Sequence, residues 1–522
     1  MRRRAFWLSA LVFATLFIWA WKPVFSVGFL ADDYEWFRYV SDLRSWDLWR
    51  IFWYPALGAV RFARYRPLVG LTFWSDFRLF GYQAWGYHLT NLFFHGLAVI
   101  GVFLVASSLL RRKKGGVVAA LISAGLFSVS PILVEAVTWV DGRYDVIASA
   151  LILFSLWMFL RGYRGRSRGL WLGASSFLGV MSLLAKETAV ILPFIVCTII
   201  IYSLLERYNK VGIDSFFREV KRVQIWFWIF LLGAGFYVWL GSLSLGKFVF
   251  LEKGYSIGIS RPFLAWIILT MVGISLRWVR LVPMVSRRVW LSWWWVGLSL
   301  VPISFLPTQL RFLYLPAALA TVCVVLRLSD FRPGRRVLSI GGLVVVVLVF
   351  SLGLRSRNFA WVEASRGQRQ IIGQISEKIE EAQPRLMYLF NLPDHIRGIP
   401  AFRSYVEEAI LLEAERLGKS FPRNPIDIIP GPMTDDLGET GVQVLDSSRV
   451  VVTSSKGFVI FPPSVVRRFP DGSSALDWGG DWQATASADR KRMWVSLPHG
   501  LDEAGVSGLI FSEGRIENVF PR

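Results

Sequence analysis

From the N-terminus to about residue 354, apolar stretches of roughly span length alternate with short charged turns. About 20 apolar residues in helical form cross the hydrocarbon of a bilayer. The pattern predicts eleven spans, near 5–25, 86–110, 116–132, 145–161, 169–185, 188–205, 224–242, 262–282, 289–306, 311–328 and 337–354. The first outer loop, about 28–85, is too long for a simple connector. Within it Ser45–Tyr54 (SWDLWRIFWY) mixes Trp, Phe and Ile with Asp and Arg, as an interfacial helix would. Such a helix could wall a site and guide a lipid tail, and it fits an amphipathic strut equally well.

Near residue 360 the pattern becomes that of a soluble domain. Arg385–Leu392 reads as a strand and Phe402–Leu417 as an amphipathic helix. Ile426–Ile429, Val442–Leu445 and Val450–Ile460 read as further strands, the last broken by a hairpin at Ser454–Gly457. The expected fold class is a mainly α polytopic membrane protein of about 11 transmembrane helices with a C-terminal soluble α/β domain. The expected division is 1–359 for the membrane domain and 360–522 for the α/β domain.

Composition agrees: 54% of the 522 residues are hydrophobic, beyond the range of soluble domains. The net charge of +21 would suggest nucleic acid in a soluble protein. Its distribution argues otherwise. Residues 360–522 carry 22 acids and 18 bases, net −4, leaving 15 acids and 40 bases, net +25, in 1–359. That excess lies in short loops such as RRKK (Arg111–Lys114) and RGYRGRSRG (Arg161–Gly169), where it orients a membrane protein. The expected topology has a cytoplasmic N-terminus and an extracytoplasmic C-terminal domain, with membrane lipids as partners and no nucleic acid. The Met1–Arg4 head with the run after it is expected to be an uncleaved first span, because it is longer than a usual signal core. Two cysteines, Cys197 and Cys323, each in an apolar run, make neither a disulfide framework nor a thiolate metal site.

By this topology eleven of the 15 acids in 1–359 fall on the outer side: Asp32, Asp33, Glu35, Asp42, Asp47, Asp76, Glu135, Asp141, Asp145, Glu187 and Glu252. Asp32 and Asp33, in GFLADDYEWF, sit where the first helix meets water. Two adjacent carboxylates repel each other and need a cation, a proton or a cationic surround. They are the candidate catalytic pair, with a solvated helix end as the plain alternative.

Further polar groups gather at span ends on the same side. Arg66 lies in RYRPL (Arg64–Leu68), and His88, Asn91 and His95 share one helical face in GYHLTNLFFH. Histidines seven apart on a helix are about 10 Å apart along its axis, a poor metal site. Glu135, Asp141, Arg143 and Asp145 crowd the turn in SPILVEAVTWVDGRYD. Lys186 and Glu187 occupy the next outer turn, and Arg311 with Tyr314 (RFLYLP) a later one. Arg or Lys at a membrane–water boundary suits a lipid phosphate, Arg through its bidentate fork. Each alone would also pass as a snorkelling or belt residue. The candidate substrate-binding set is Arg66, His88, Asn91, Glu135, Asp141, Arg143, Asp145, Lys186, Glu187, Arg311 and Tyr314.

The order ADDY, RYRPL, GYHLTNLFFH, SPILVEAVTWVDGRYD, LLAKETAVILP, RFLYLP resembles the GT-C superfamily of polytopic glycosyltransferases. Within it, the chain is most similar to the protein O-mannosyltransferase-like branch, which includes transmembrane and tetratricopeptide repeat proteins and bacterial relatives. The resemblance covers about residues 25–330 and implies a polyprenyl-phosphate-linked sugar as donor. It implies Asp32 as general base with Asp33 beside it, and Lys186 or Arg311 on the donor phosphate. Two features depart from that branch. Ser130 stands where a His usually precedes the Pro, and the tail carries no helical repeats. NLPDHIRGIPAF (Asn391–Phe402) resembles tails of the bacterial relatives, with no chemistry attached to it.

The expected function is therefore transfer of a sugar from a polyprenyl-phosphate donor to a protein, lipid or glycan acceptor, Asp-assisted and inverting. No cofactor is required, although a divalent cation could sit between Asp32 and a second acid. The alternatives are a transporter or flippase of lipid-linked saccharides, and a non-catalytic scaffold displaying the tail. Transporters usually carry charges in mid-span and paired repeats, which this sequence does not show.

Overall fold

The computed structural model describes residues 2–41, 43–53, 65–111, 113, 115–165, 167–208, 212–245, 261–278, 286–305, 309–330, 333–402, 406–416, 427–430, 433–434, 439–456, 458, 465–468, 471, 473–477, 483–497, 499, 501–502, 506–512 and 515–519. Tyr54, Asp42, Arg64, Glu252 and Gly457, used in the sequence reading, lie outside them.

Among the described residues eight helices are long and apolar enough to cross a membrane: Trp7–Ser26, Ala84–Leu109, Arg143–Tyr163, Arg168–Ala185, Glu187–Leu205, Gln224–Ser244, Leu310–Leu328 and Ser339–Ala382. The protein is an integral membrane protein. The predicted span at 116–132 is a broken one, Gly116–Ser128 followed by Pro131–Thr138 at 47°. Pro131 explains the break. A residue before proline is pushed out of the α region, and Ser130 is extended at φ −67°, ψ 124°. The predicted span at 262–282 is observed as the helix Arg261–Trp278, and that at 289–306 as the shorter apolar helix Val289–Ser304. Among the described residues the eleven predicted spans are observed as eight helices long and apolar enough to cross, nine with the broken pair, and two further apolar helices.

The chain divides into two compact units, Met1–Phe25 with Tyr39–Phe359, and Ser26–Arg38 with Ala360–Arg522. In the first unit, helices pack through small residues and reciprocal polar bonds, the usual adhesive between spans in lipid. The Ser155 hydroxyl donates to the Ser175 carbonyl and the Ser175 hydroxyl to the Ser155 carbonyl, both at 2.7 Å. The Trp226 indole N–H reaches the Ser175 hydroxyl at 2.9 Å. The outer loop differs from the single interfacial helix read from Ser45–Tyr54. It holds a 3-10 turn at Ser45–Asp47, a short helix Arg50–Trp53, and a helix Pro67–Phe80 that begins on a proline.

In the second unit, the strand Leu386–Phe390 is fully buried. It lies parallel to both Val506–Ser512 and Asp427–Pro430, and Arg515–Asn518 closes one edge antiparallel. A six-stranded antiparallel sheet runs in the order Thr440–Val444, Arg449–Ser454, Arg492–Ser496, Gln483–Ala486, Ser474–Asp477, Val465–Arg468. Val450, Val452, Met493 and Val495 point from it into the core with Tyr388 and Phe390. The strand read over Val450–Ile460 ends at Ser454, and its antiparallel partner Arg492–Ser496 comes from far along the chain. The helix predicted at Phe402–Leu417 is observed as Val406–Arg416.

The segment 26–38, expected with the membrane domain, groups with the second unit instead. The physical tie is local. Ala31 N–H donates to the Ala401 carbonyl at 3.0 Å, and the buried Gln368 amide donates to the same oxygen at 3.0 Å.

Candidate functional site

In the first unit the broken span positions the site. Helix ends leave carbonyls without intrahelical partners, and the Ser128 carbonyl is one. It accepts from the Trp21 indole at 2.9 Å and from His95 Nε2 at 3.1 Å. Since a carbonyl only accepts, His95 carries its proton on Nε2, and Nδ1 accepts from the Tyr314 hydroxyl at 2.6 Å. After the break, the Asn91 amide donates to the carbonyls of Val137, Trp139 and Val140 at 3.1, 3.0 and 3.4 Å. The turn then passes Gly142, where a Cβ would lie 2.6 Å from the Ala136 carbonyl oxygen, so only glycine fits. His95, Asn91 and Tyr314 therefore hold the turn that presents residues 139–145. His88 is fully buried on the same helix.

Arg143, expected to bind substrate, is engaged with the protein. Its guanidinium pairs with Asp76 at 2.6 Å, and Thr90 donates to the other Asp76 oxygen at 2.6 Å. It also donates to the Thr72 hydroxyl and to the Tyr87 carbonyl, both at 3.3 Å, and lies 4.0 Å over the Phe73 ring. Arg143 is 0% and Asp76 3% exposed. This knot ties the turn to Pro67–Phe80 and Ala84–Leu109. Burial raises the Asp76 pKa above the usual carboxylate value, and Arg143 opposes the rise.

The remaining charged candidates of this unit converge on the Tyr144 ring. Arg66, Lys186 and Arg311 place their charges 4.2, 4.9 and 5.3 Å from its centroid. All three are at most 5% exposed. Cations this close repel strongly at low dielectric, and acids offset them. Glu187 takes Arg66 in a fork, accepting from Nη2 at 2.8 Å on one oxygen and from Nε at 3.3 Å on the other. Asp145 takes Lys186 directly. Arg311 is held loosely, 3.8 Å from Asp141 and 4.0 Å from Glu135, with its guanidinium 4.4 Å over the Trp139 ring. Glu135 turns its other oxygen to the Leu310 N–H at 3.1 Å. Among the described residues, Arg311 Nε and Nη1 and Asp145 Oδ2 are buried without hydrogen-bond partners. Buried polar groups are normally satisfied, so Arg311 has donors to offer a ligand.

Lys186 lies between two spans, and burial pulls its pKa down to about 8 despite Asp145 beside it. A lowered lysine pKa means the ammonium is present below about 8 and is lost as pH rises through it. Anion binding by this cluster is therefore expected to weaken from pH 7 to 9. Lys186→Arg, which stays charged, should move that loss to higher pH in an equilibrium binding titration.

In the second unit the paired aspartates differ. Asp33 is buried, and its carboxylate accepts the Leu30 N–H at 2.9 Å, closing the turn that starts helix Asp33–Val40. Asp32 is half-buried and begins no helix of its own. Ala31, just before it, has φ +48°, left-handed backbone that costs a residue with a Cβ roughly 1–2 kcal/mol. Strain held next to a functional group is a recurring device. Here it is maintained by the Ala401 carbonyl, whose own N–H donates to the Asp394 carbonyl at 2.8 Å. The motif Asn391–Phe402, to which the sequence reading attached no chemistry, thus anchors the aspartate loop. Ala31→Pro would remove that N–H and forbid the left-handed φ. Loss of activity is expected, with the first unit still folded by its protease-resistance pattern.

Residues 66–212 match the family described as dolichyl-phosphate-mannose-protein mannosyltransferase. The chain is 32% identical over 191 residues to the protein O-mannosyl-transferase tmtc2 of Xenopus laevis, covering 34% of this chain and 22% of that protein. With human protein O-mannosyl-transferase TMTC3 it shares 33% identity over 135 residues, 26% of this chain and 14% of the relative. Through this region the chain is similar to protein O-mannosyltransferases. It spans less than a third of the length of these curated relatives. A solved structure of ArnT from Cupriavidus metallidurans in the apo state aligns over 79% of this chain and 89% of its own, with 13% identity and a TM-score of 0.48.

Arg66, Glu135, Asp141, Asp145, Lys186 and Glu187 lie inside the matched segment, and Arg311 reaches them from outside it. Tyr144, the ring at the centre, and Asp76, the partner of Arg143 and named above only among the outer acids, are outside the candidate set. Asp76 had a legible signal, an acid inside an otherwise apolar helix (LTFWSDFRLF). Among the described residues no group of three or more His, Cys, Asp or Glu is arranged to hold a metal ion.

Proposed function

We propose that this protein is a membrane glycosyltransferase that moves a sugar from a polyprenyl-phosphate-linked donor to an acceptor hydroxyl outside the cytoplasm. The observation that carries the reading is the buried trio Arg66, Lys186 and Arg311 around Tyr144, with unpartnered donors on Arg311. The family match over 66–212 supports it. Preorganised cations are what a departing phosphate needs, because charge develops there as the bond breaks.

In this reading Asp32 is the general base. It takes the acceptor hydroxyl proton, the acceptor oxygen bonds to the anomeric carbon, and the bond from that carbon to the phosphate oxygen breaks. The electron pair leaves on the phosphate, which Arg311 stabilises by direct hydrogen bonds. Arg66 and Lys186 keep the surrounding field positive, while Glu187 and Asp145 hold their orientation. Attack opposite the phosphate inverts the anomeric centre. Asp33 shapes the loop that carries Asp32. The membrane is that of a bacterial cell, with the N-terminus cytoplasmic and the second unit extracytoplasmic, following the basic loops. The acceptor is a protein, lipid or glycan.

Mass spectrometry of glycoproteins and glycolipids from cells lacking the protein tests this. A sugar missing from one class, restored by the wild-type chain, is expected. An unchanged set of glycoconjugates would remove the proposal.

A further inference from the structure

The six-stranded sheet of the second unit has one face in the core and one turned outward. On the outward register Trp494 is 42% exposed, while its neighbours Met493 and Val495 are buried. Tryptophan is enriched at binding surfaces, where its apolar face and its N–H both find partners. Around it lies a cavity of about 710 Å³ in which Thr453, Ser487, Arg492 and Trp494 meet. That volume is within the roughly 300–1,000 Å³ of small-ligand sites. Its charges balance, with Glu439 and Asp489 against Lys491 and Arg492. The site therefore selects for neither an anion nor a cation. Its neutral polar groups are hydroxyls, from Thr440, Thr453, Ser455 and Ser487.

Ser454 lies on the core face of its strand with Val450 and Val452, so the outward face presents Thr453, Arg492 and Trp494. The cavity wall is well ordered. The Ser487 hydroxyl donates to Asp489 at 2.6 Å, Lys491 N–H donates to the same carboxylate oxygen at 3.0 Å, and Arg492 N–H donates to the Ser487 hydroxyl at 3.0 Å.

We propose that this cavity is a binding site for a neutral saccharide, with Trp494 stacked on the C–H face of one sugar ring. A pyranose offers an apolar face and a rim of hydroxyls, and the cavity offers an aromatic plate ringed by donors and acceptors in balanced charge. The Thr453 hydroxyl and the ends of Asp489 and Arg492 pair with the sugar rim. The site lies wholly in the second unit and does not depend on the transfer reaction, so either proposal can fail alone.

Saturation-transfer NMR of the full-length protein in detergent, with neutral hexose oligosaccharides of two to six units, tests this. Affinities come from titration of the same probes. The wild type is expected to bind at least one of them, and Trp494→Ala to weaken it about tenfold or more, as loss of an aromatic anchor does. Trp494→Phe, which keeps a ring, should retain most of the binding, and Thr453→Val should lose part of it. Hydrogen exchange across the sheet checks that the variants stay folded. Absence of binding to every neutral probe, or equal binding by wild type and Trp494→Ala, overturns the proposal. Preference for inorganic phosphate or a uronic-acid oligosaccharide over the neutral probes also overturns it.

Discussion

Asp32→Asn is expected to reduce sugar transfer by about 10²–10⁴-fold, the usual contribution of a positioned general base. Membranes from cells making the variant, supplied with polyprenyl-phosphate sugar, provide the assay. The amide keeps the shape of the carboxylate and removes its capacity to take a proton. The neighbouring change discriminates between a catalytic role and a merely acidic loop. Asp33→Asn leaves an oxygen to accept the Leu30 N–H, so its transfer rate should fall far less. Equal losses in the two variants would mean that both aspartates shape the loop and neither is the base. Near-normal turnover in Asp32→Asn would remove that residue from the mechanism.

Arg143→Met should be the most destabilising single change in the first unit. Removing one partner of a buried pair strands the other charge, at a cost of about 3–5 kcal/mol. Here the stranded group is Asp76, 3% exposed and already pushed up by burial. Thermal unfolding of the detergent-solubilised protein would show the drop. Adding Asp76→Asn to Arg143→Met removes the orphaned charge, and the double variant should regain much of the loss. Such non-additivity is what a shared pair predicts. If Arg143→Met kept full stability and lost only donor affinity, Arg143 would belong to the substrate site after all.

The membrane spans were legible because lipid makes the rule severe: every backbone group must be satisfied inside the segment. Gly116–Ser128 was readable as apolar, yet its break depended on the single proline after it. The charged corners could be read as a set, but not their division of labour. Arg143, Asp145, Lys186 and Arg311 look alike as cations and acids at span ends. Only three-dimensional pairing separates Arg143, spent on Asp76, from Arg311, whose donors are open. Pairing of this kind joins positions far apart in the chain, which no local pattern records. Tyr144 shows the same limit, since a tyrosine beside an arginine is unremarkable until three cations surround its ring.

The second unit was less legible. Strands such as Ser474–Asp477 (SALD) and Gln483–Ala486 (QATA) are short and poor in β-branched and aromatic residues, and form because neighbours complete the sheet. The tie between Ala31 and Ala401 is a backbone bond, so no side-chain motif announced it. Its only trace in sequence was the unexplained run Asn391–Phe402.

The grip on the lipid phosphate is tested most directly by native mass spectrometry of the purified protein released from bilayer discs containing polyprenyl phosphate. The wild type should retain one polyprenyl phosphate per chain. Arg311→Gln should lose it while remaining folded, because the open donors of Arg311 are the ones assigned to the phosphate. Equal retention of the lipid by Arg311→Gln and wild type would contradict that assignment.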